Sequence, residues 1–505
     1  MKSEKLMDAI TNIDEDLLDE ARKEPTAEEK KAIQRGGQIL SPSFLRAACA
    51  VLVVGILAGA VLWAGHRNDP AGHTEQTGSA VAADPAQKAA VLAEPVFPQD
   101  WPEGEIREGE PPIHARRTAG YEVAELYRSY FADMMLLLLS GENGENRVMS
   151  PVNIFMATAM LAEMTGGETR QEILNALNVR SLSELRDQAA RICGLCYRDD
   201  GQEKLVLGNS LWLSNHLNYR ESTAKHLAEE YYASVFRGEM GSEAYDSLFR
   251  DWLNQMTGGL LTEQVSKKKF SSDELLAFAS TVFLQTRWQQ EFDAELTAEG
   301  LFHGADGDRS VPFMHRDMAA DFYYKGDNFT MIYLSSRQGP VFFFLPDEGF
   351  GVDEMMQSQV FRDFLAYTND YVMNLSDGFE KTKEYKGMTS VAARVNLTVP
   401  KLDIDASQKL EESLQKLGIR KCFSAAEADF TSITDVSGVY LSRIEQSSRL
   451  LMDESGISAA SYVVGALAGG YPPEDEIDLV IDRPFFLLVT GAGNVPLFAA
   501  VVDEP

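Results

Sequence analysis

The sequence predicts an α+β domain with antiparallel or mixed β-sheets at residues 119–505, preceded by one transmembrane helix at residues 47–65. Helical and strand-like patterns are intermixed in the C-terminal block without a regular strand–helix–strand alternation, which favours the α+β class. The block opens with an amphipathic helix, whose apolar residues are Val123, Leu126, Tyr127, Tyr130, Phe131 and Met134. Strand-like runs follow at 205–213, 278–285, 340–345, 393–399 and 479–488.

Residues 47–65 carry no charge over 19 positions. At about 1.5 Å per residue, such a helix just spans a hydrocarbon core. The alternatives are a signal-peptide core, which the 46 preceding residues disfavour, and a buried globular helix, which the polar flanks disfavour. More basic residues precede this run than follow it, so the positive-inside rule predicts a single-pass cell-membrane protein with a cytoplasmic N-terminus and an extracellular C-terminal domain.

Two polar segments flank the predicted span. Residues 1–46 form the predicted cytoplasmic tail, in which two short helix candidates have thin apolar faces, typical of a loosely ordered anchor or of a partner-binding tail. Residues 66–118 are rich in proline and acidic residues, and such a composition cannot bury a core of its own. We therefore predict an extracellular linker that holds the domain away from the membrane.

The charge of the chain excludes one class of partner. The 77 acidic and 46 basic residues give a net charge of −31, whereas binding to nucleic acid requires a basic face. The excess of acids is typical of a solvated surface that keeps a protein soluble, and we expect a monomer.

No motif for catalysis or metal binding is present. The sequence has no H-E-x-x-H or G-x-S-x-G motif, and the four histidines of the C-terminal block have no metal-ligand spacing. Cys193 and Cys196 form a C-x-x-C motif, which is compatible with a redox or half-metal site but is more typical of buried or locally bridged thiols here, because no second pair accompanies it. We expect no catalytic residue, no metal and no cofactor.

A segment near the C-terminus is built of small, uncharged residues. Residues 456–470 contain neither charge nor proline, as the interior of a β-strand requires. One alternate set of side chains is mostly apolar and of modest size: Ile457, Ala459, Ser461, Val463, Gly465 and Leu467. The pattern permits insertion of this segment into a sheet, although an ordinary surface loop has a similar composition.

Motifs in order along residues 119–505 resemble those of the serpin family of protease inhibitors. The segment from Glu454 to Ser461, followed by Asp482-Arg483-Pro484-Phe485, resembles the serpin reactive-centre loop and its closing strand. Asn146-Arg147-Val148-Met149-Ser150-Pro151-Val152-Asn153-Ile154 resembles the family's N-x-x-x-S-P-x-S-I, with Asn153 in place of the usual serine. Further similarities lie at Gly166–Ile173, Asn209–Leu213, Trp252–Gly259, Ser280–Phe292, Val399–Leu402, Leu414–Phe430 and Pro496–Phe498.

The resemblance implies a serpin fold with three β-sheets, about eight to nine helices and an exposed reactive-centre loop. It implies that a protease cleaves the loop, which then inserts into the main sheet and traps the protease as a covalent acyl-enzyme complex. By this resemblance the loop hinge contains Glu454, Gly456, Ile457, Ala459, Ala460 and Ser461. Counting from the hinge glycine in the same way places the scissile bond between Gly470 and Tyr471, with Ala468, Gly469 and Tyr471 as alternative cleaved residues. The region where the sheet opens contains Ser150, Asn209 and Trp288.

The sequence around the predicted scissile bond favours a protease with a small-residue specificity pocket, either a serine or a papain-like cysteine protease. The loop around Gly470 offers no lysine or arginine to a trypsin-like enzyme. Ile457 departs from the serine or threonine usual in inhibitory members, and Tyr462 with Val463 is bulky where small residues are usual. Slow insertion would turn an inhibitor into a substrate, so the alternative is a non-inhibitory binding or scaffold protein with the same fold.

Overall fold

The computed structural model describes residues 80–81, 89–97, 112–141, 144–199, 203–375, 382–442, 444–457 and 475–505. Within these ranges no helix is long and apolar enough to cross a membrane. The predicted cytoplasmic tail and the predicted span at 47–65 lie outside the described residues, as does the loop from 458 to 474.

The described residues contain twelve α-helices, more than the eight or nine predicted. Three of them have only five or six residues, and without these short turns nine remain. In chain order the helices are α1 Pro112–Leu126, α2 Arg128–Leu139, α3 Pro151–Met164, α4 Gly167–Ala176, α5 Leu182–Cys196, α6 Glu221–Glu230, α7 Glu243–Met256, α8 Thr262–Ser266, α9 Val352–Gln357, α10 Gln359–Ala366, α11 Thr368–Leu375 and α12 Glu411–Lys416.

Three sheets are present in the described ranges, the number predicted, with two, ten and eight strands. The strands are β1 Ala80–Val81, β2 Ala90–Ala93, β3 Arg147–Met149, β4 Arg198–Asp199, β5 Lys204–Ser214, β6 Tyr219–Arg220, β7 Ala233–Gly238, β8 Leu276–Arg287, β9 Ala298–Gly304, β10 Gly307–Lys325, β11 Phe329–Ser335, β12 Pro340–Pro346, β13 Thr382–Tyr385, β14 Met388–Pro400, β15 Leu402–Lys409, β16 Glu445–Met452, β17 Gly456–Ile457, β18 Glu476–Val480, β19 Phe485–Thr490 and β20 Pro496–Val502.

The eight-stranded sheet, called the main sheet below, has the order β15-β16-β17-β8-β5-β7-β2, with β4 paired to β5. It therefore divides into a first half (β2, β7, β5, β8 and β4) and a second half (β16 and β15). Among the described strands, the two residues of β17 provide the only pairing between the halves. The β17 strand is antiparallel to both neighbours, so β8 and β16 run parallel to each other.

The predicted linker at 66–118 differs from the structure at three places. Residues 90–93 form β2, which pairs with β7 at the edge of the main sheet, and β1 pairs with β6. The first helix begins at Pro112, seven residues before the predicted start of the domain. The folded domain therefore recruits part of the segment that composition alone assigns to a spacer.

Helix α3 lies in the core beneath the main sheet. Ser150 caps its N-terminus, because the Ser150 Oγ accepts a hydrogen bond from the Asn153 N–H at 3.3 Å, and Pro151 occupies the first turn, where proline is tolerated. All fourteen residues of the helix are buried. Its N-terminus therefore holds Ser150 and Asn153 in fixed positions below β8 and β16.

The outer face of the main sheet is covered by α7. An aromatic cluster fixes this helix to the first half, with Trp212 stacked on Phe236 at 4.0 Å between ring centroids. The segment after α7 is bonded to the second half, because Arg449 Nη1 donates to the Leu260 carbonyl at 2.9 Å and Lys268 Nζ lies 2.9 Å from Glu445 Oε2. Residues 257–268, called the covering segment below, therefore cross from one half of the main sheet to the other.

A buried ion pair joins three helices below the sheet. The Glu163 carboxylate of α3 accepts hydrogen bonds from Arg186 of α5 at 2.6 and 2.9 Å, and from the Tyr231 hydroxyl at 3.1 Å. Burial raises the pKa of Glu163, but the hydrogen bonds and charges of His226 and Arg186 outweigh it and lower the pKa to about 2.

Glu163→Ala is expected to lower the free energy of unfolding by about 3–5 kcal/mol, because it leaves the Arg186 guanidinium without its carboxylate. Since the folded pKa lies below the ordinary value, the contribution is present above about pH 4.5 and is lost as the pH falls toward 2. Chemical denaturation at several pH values checks both statements. Glu229→Ala on α6 is the matched control, because the Glu229–Lys225 pair is exposed; an equal effect would contradict the prediction.

Candidate functional site

The predicted loop hinge forms a tight turn at one end of the main sheet. After β16, Asp453 N donates to the Gly456 carbonyl at 2.9 Å, and the Asp453 carboxylate accepts from the Ser455 and Gly456 N–H groups. The chain reverses through this turn and begins β17, in which Gly456 lies opposite Arg287 and Ile457 opposite Thr286. On the other side Ile457 lies opposite Met452 of β16.

Glycine is required at position 456 by the close approach of β8. Gly456 has φ +155°, and a Cβ built on it would lie 2.6 Å from the Arg287 Cα and closer still to the Thr286 carbonyl oxygen. Ile457 is 2% exposed and its side chain belongs to the core. The second residue of β17 thus faces the core.

Trp288 lies beside the turn, directly after β8. Its indole Nε1 donates to the Asp453 carbonyl at 2.9 Å, and its backbone N–H donates to the Ser455 carbonyl at 3.1 Å. The backbone N–H of Phe292 donates to the Glu454 carbonyl at 2.9 Å. The region around Trp288 therefore holds the hinge through backbone and side-chain hydrogen bonds.

The Glu454 side chain ties the turn to the second half of the sheet. Glu454 Oε2 lies 2.8 Å from Lys401 Nζ, between β14 and β15, and Oε1 accepts from the Thr297 hydroxyl at 2.7 Å. Partial burial raises the pKa of Glu454, but the bonds from Lys401 and Thr297 outweigh this effect and hold it below the usual value. The carboxylate is therefore ionised at neutral pH.

Glu454→Lys is expected to destabilise the uncut protein by about 1–2 kcal/mol, a figure kept small because the Lys401 side chain is one-third exposed. It places two ammonium groups together and leaves the Thr297 hydroxyl without its acceptor. The double variant Glu454→Lys with Lys401→Glu should recover part of the loss. Melting temperatures of the unmodified chain and the two variants check this expectation, and a double variant no more stable than Glu454→Lys would contradict it.

Beyond Ile457, the two halves of the sheet are separated by a narrow cleft. One wall consists of residues 281–284 of β8 and the other of residues 447–451 of β16. Phe498 contributes to the inner side, and Thr257, Leu260 and Leu261 of the covering segment contribute to the outer side. The cleft continues the line of β17 along the sheet.

Ser150 connects the N-terminus of α3 to the second half of the main sheet. Its backbone N–H donates to Gln446 Oε1 at 3.0 Å, and Gln446 Nε2 donates to the Ser150 carbonyl at 3.2 Å. Both residues are at least 95% buried. The amide of Gln446 therefore bonds both backbone polar groups of Ser150, whose carbonyl also accepts from the Ile154 N–H at 3.1 Å.

The same end of α3 is bonded to the first half. Asn153 Nδ2 donates to the Ser280 carbonyl at 3.1 Å, and the Ser280 hydroxyl, which has one proton to donate, lies within hydrogen-bond distance of the side-chain oxygens of Asn153 and of Asn209, the latter at 2.7 Å. Asn209 Nδ2 in turn donates to the Tyr231 carbonyl at 2.8 Å. Together with the Ser150–Gln446 pair, these bonds form a polar network below the cleft that reaches both halves of the main sheet.

The predicted sheet-opening residues thus fall into two places. Ser150 and Asn209 belong to the polar network, whereas Trp288 lies at the hinge. Of the predicted hinge residues, Glu454, Gly456 and Ile457 are described; the remaining ones and the predicted scissile bond lie outside the described residues: Ala459, Ala460, Ser461, Gly470 and Tyr471.

Sequence reasoning missed Gln446, Ser280 and Lys401. A signal for Gln446 was present, because β16 alternates buried and less buried residues and Gln446 is a polar side chain at a buried position. Lys401 lies within the serpin-like motif Val399–Leu402, but its partner Glu454 is 53 residues away. Only the fold brings such distant residues together.

The three cysteines in the described ranges carry buried thiols. Burial raises the pKa of Cys193 and raises that of Cys422 to about 12. Both groups therefore remain protonated at neutral pH, which makes them poor nucleophiles. The C-x-x-C motif on α5 is explained by core packing.

Among the described strands, the two halves of the main sheet are joined only by β17, where the loop of residues 458–474 begins. The family model for "Serpin (serine protease inhibitor)" matches residues 128–505. The chain belongs to the serpin family. As a member of this family of protease inhibitors it is not an enzyme.

Individual relatives agree with this assignment. Serpin-ZX of Arabidopsis thaliana is 27% identical over 380 residues, covering 71% of this chain and 92% of that protein. Alpha-1-antiproteinase 2 of Equus caballus is 26% identical, covering 78% of this chain and 89% of that protein. The native crystal structure of the thermophilic serpin tengpin matches with a TM-score of 0.63 at 20% identity, covering 83% of this chain and all of that one, which shows the shared fold.

Proposed function

We propose that this serpin is a suicide inhibitor of an endopeptidase, and that its cleaved loop becomes a full strand between β8 and β16. The observation that carries the proposal is β17, which already occupies the first two positions of that strand. Extending it makes the centre of the main sheet antiparallel throughout, which adds one ladder of hydrogen bonds on each side.

The register of β17 defines where each inserted residue would lie. Continuing it places Ala459 between Leu284 and Leu450, and Ser461 between Val282 and Ser448. These are inward positions, since Leu284 and Leu450 are both buried in the core. The small apolar set identified from the sequence therefore faces the core in the inserted strand.

In the covalent step one serpin molecule reacts with one protease molecule. The hydroxyl or thiol of the protease attacks the carbonyl carbon of the cleaved residue, taken as Gly470, and the bond to the nitrogen of Tyr471 breaks. The Tyr471 amine leaves with a proton, and an ester or thioester remains. Insertion then carries the acylated residue along the main sheet before water can release it.

Trapping of the protease requires that the loop inserts faster than water hydrolyses the acyl-enzyme. Two features oppose rapid insertion. In the extended register Val463 meets Ser280 and Gln446 of the polar network. Tyr462 faces outward between Thr281 and Ser447, on the side where the covering segment lies. These features favour the second candidate function, a serpin-fold binding protein that is cut without trapping its protease.

Incubation of the full chain with elastase-like, subtilisin-like and papain-like proteases tests the proposal. We expect a complex that survives denaturing electrophoresis, and mass spectrometry of the released C-terminal fragment should place the cut near Gly470. Clean cleavage by every protease without such a complex would overturn inhibition in favour of the second candidate.

We also propose that residues 47–65 anchor the domain on the outer cell surface. The support is the uncharged length of this run and the basic residues that precede it. Treatment of intact cells with protease, followed by detection of the C-terminal domain, tests this topology. Loss of the domain supports surface display, and full protection until lysis would overturn it.

A further inference from the structure

A second cleft, called the outer cleft below, opens on the outer face of the main sheet beside the covering segment. It has a volume of about 730 Å³, which is in the range of small-molecule sites. Ser407 of β15 and Ser447 of β16 form its floor, and Gln264 with the chain from Lys267 to Ser272 forms its wall. The floor therefore belongs to the second half of the sheet, and the wall to the segment that leads into β8.

The wall carries the only run of three consecutive basic residues in the sequence, Lys267-Lys268-Lys269, in a chain whose net charge is −31. Lys268 Nζ pairs with Glu445 Oε2 at 2.9 Å. In the described ranges no carboxylate lies within salt-bridge distance of the Lys267 or Lys269 ammonium group, and both side chains are exposed. Two ammonium groups are thus available to a ligand.

The other polar groups that line the outer cleft also favour an anion. Asp246 is the acidic residue of the lining, but it is buried and its carboxylate accepts from the Phe270 N–H at 3.0 Å. The Ser407 and Ser447 hydroxyls lie 3.1 Å apart, and their mutual bond uses one of the two hydroxyl protons. The remaining proton and the lysines are donors of the kind that phosphate and sulfate oxygens accept.

The wall of the outer cleft is fixed to the first half of the main sheet. The Phe270 ring packs in the aromatic cluster, 5.7 Å from Trp212 between ring centroids, and the Lys268 carbonyl accepts from Arg250 Nη1 of α7 at 3.4 Å. A ligand that bonds both the lysines and the two floor serines therefore connects the two halves of the sheet.

We propose that the outer cleft binds a small molecule that carries two or more phosphate or sulfate groups, and that the bound anion holds the uncut sheet closed. The two available lysines and the floor serines require more than one anionic group on the ligand. The net charge of −31 repels an extended polyanion that would lie across the rest of the surface, which favours a compact ligand.

Insertion of a loop strand between β8 and β16 must move the floor of the outer cleft away from its wall by about 4.8 Å, the spacing of neighbouring strands. The ligand then loses its bonds to one side, so its affinity falls. A ligand shifts a conformational equilibrium only through such a difference in affinity. This coupling rests on the proposed insertion mechanism, whereas binding to the uncut protein does not.

Calorimetric titration of the uncut full chain at low salt tests the site, with inorganic tripolyphosphate in one arm and a trisulfated disaccharide in the other. We expect saturable binding of one molecule per chain, and the tighter of the two identifies the anionic group. The double variant Lys267→Gln with Lys269→Gln should weaken binding at least about tenfold. Ser447→Asp places a carboxylate on the floor and should weaken it as strongly.

Lys225→Gln is the matched control, because Lys225 is an exposed lysine of α6 whose pair with Glu229 lies outside the outer cleft. It should leave the affinity unchanged. Absence of binding in both arms, or an equal loss in the control, would overturn the site. Weakening by the lysine variant but not by Ser447→Asp would overturn the connection between the two halves.

The coupling is tested by repeating the titrations after the loop has been cut. The affinity of the cut chain should be at least about tenfold lower, and a saturating anion should raise the melting temperature of the uncut chain and slow its spontaneous loop insertion several-fold. Equal affinities would overturn the coupling. Failure of the insertion mechanism itself is recognised separately, because cleavage of the unmodified chain without any ligand would then not raise its melting temperature.

Discussion

Ile457→Arg is expected to abolish the covalent protease complex while leaving the loop cleavable, a loss of at least about 100-fold in the fraction of protease trapped per loop cleaved. Ile457 is 2% exposed between Thr286 and Met452, and insertion of the rest of the loop must keep it there. An arginine at this inward position would bury an unpaired charge, at a cost of several kcal/mol. Insertion then becomes slower than hydrolysis of the acyl-enzyme, and the inhibitor is consumed as a substrate.

Ser458→Arg is the matched control for this variant. In the extended register residue 458 lies opposite Gln285 and Leu451 on the outward face, where an arginine can reach solvent. The ratio of complex to cleaved inhibitor on denaturing gels is the measurement. If Ile457→Arg traps protease as well as the unmodified chain does, or if both variants fail alike, the register proposed for the inserted strand is wrong.

Gln446→Ala is expected to lower the free energy of unfolding of the uncut protein by about 1–3 kcal/mol. Removal of the Gln446 amide leaves the buried Ser150 N–H without an acceptor, whereas the Ser150 carbonyl keeps its hydrogen bond from the Ile154 N–H. It also removes the bond between α3 and the second half of the main sheet. We therefore expect spontaneous loop insertion to accelerate at the same time.

The control for Gln446 stands directly across the ladder. Gln408 on β15 pairs with Gln446 in register but makes a single long hydrogen bond, at 3.5 Å, to the Val148 carbonyl. Gln408→Ala should cost less than about 1 kcal/mol. Chemical denaturation of the uncut proteins measures the free energy of unfolding of both variants. Equal losses would contradict the role given to the contact between Gln446 and Ser150.

The sequence alone predicted the class of fold and the family, and the assignment of the hinge residues stays a prediction. These predictions rest on local patterns, such as the Ser150-Pro151 helix start and the small residues after Gly456, whose meaning does not depend on distant parts of the chain. The position of Trp288 beside the hinge agrees with the predicted neighbourhood of the loop.

Contacts between distant residues could not be predicted in the same way. The Ser150–Gln446 pair spans 296 positions, and nothing in either local pattern specifies the other partner. The strand β2 was missed because proline and acidic residues dominate the composition of 66–118, which hides a short apolar run that contains Val91, Leu92 and Phe97. An edge strand needs few residues, because the neighbouring strand β7 supplies its hydrogen-bonding partners.

The melting temperature of the full chain before and after a single cut in the loop between residues 458 and 474 tests the central claim most directly. If the cut loop inserts between β8 and β16, the melting temperature should rise by at least about 15 °C, since a strained uncut fold gains a central strand. The cut Ile457→Arg chain should show no such rise. An unchanged or lower melting temperature after cleavage of the unmodified chain would contradict loop insertion and, with it, the proposed inhibitory mechanism.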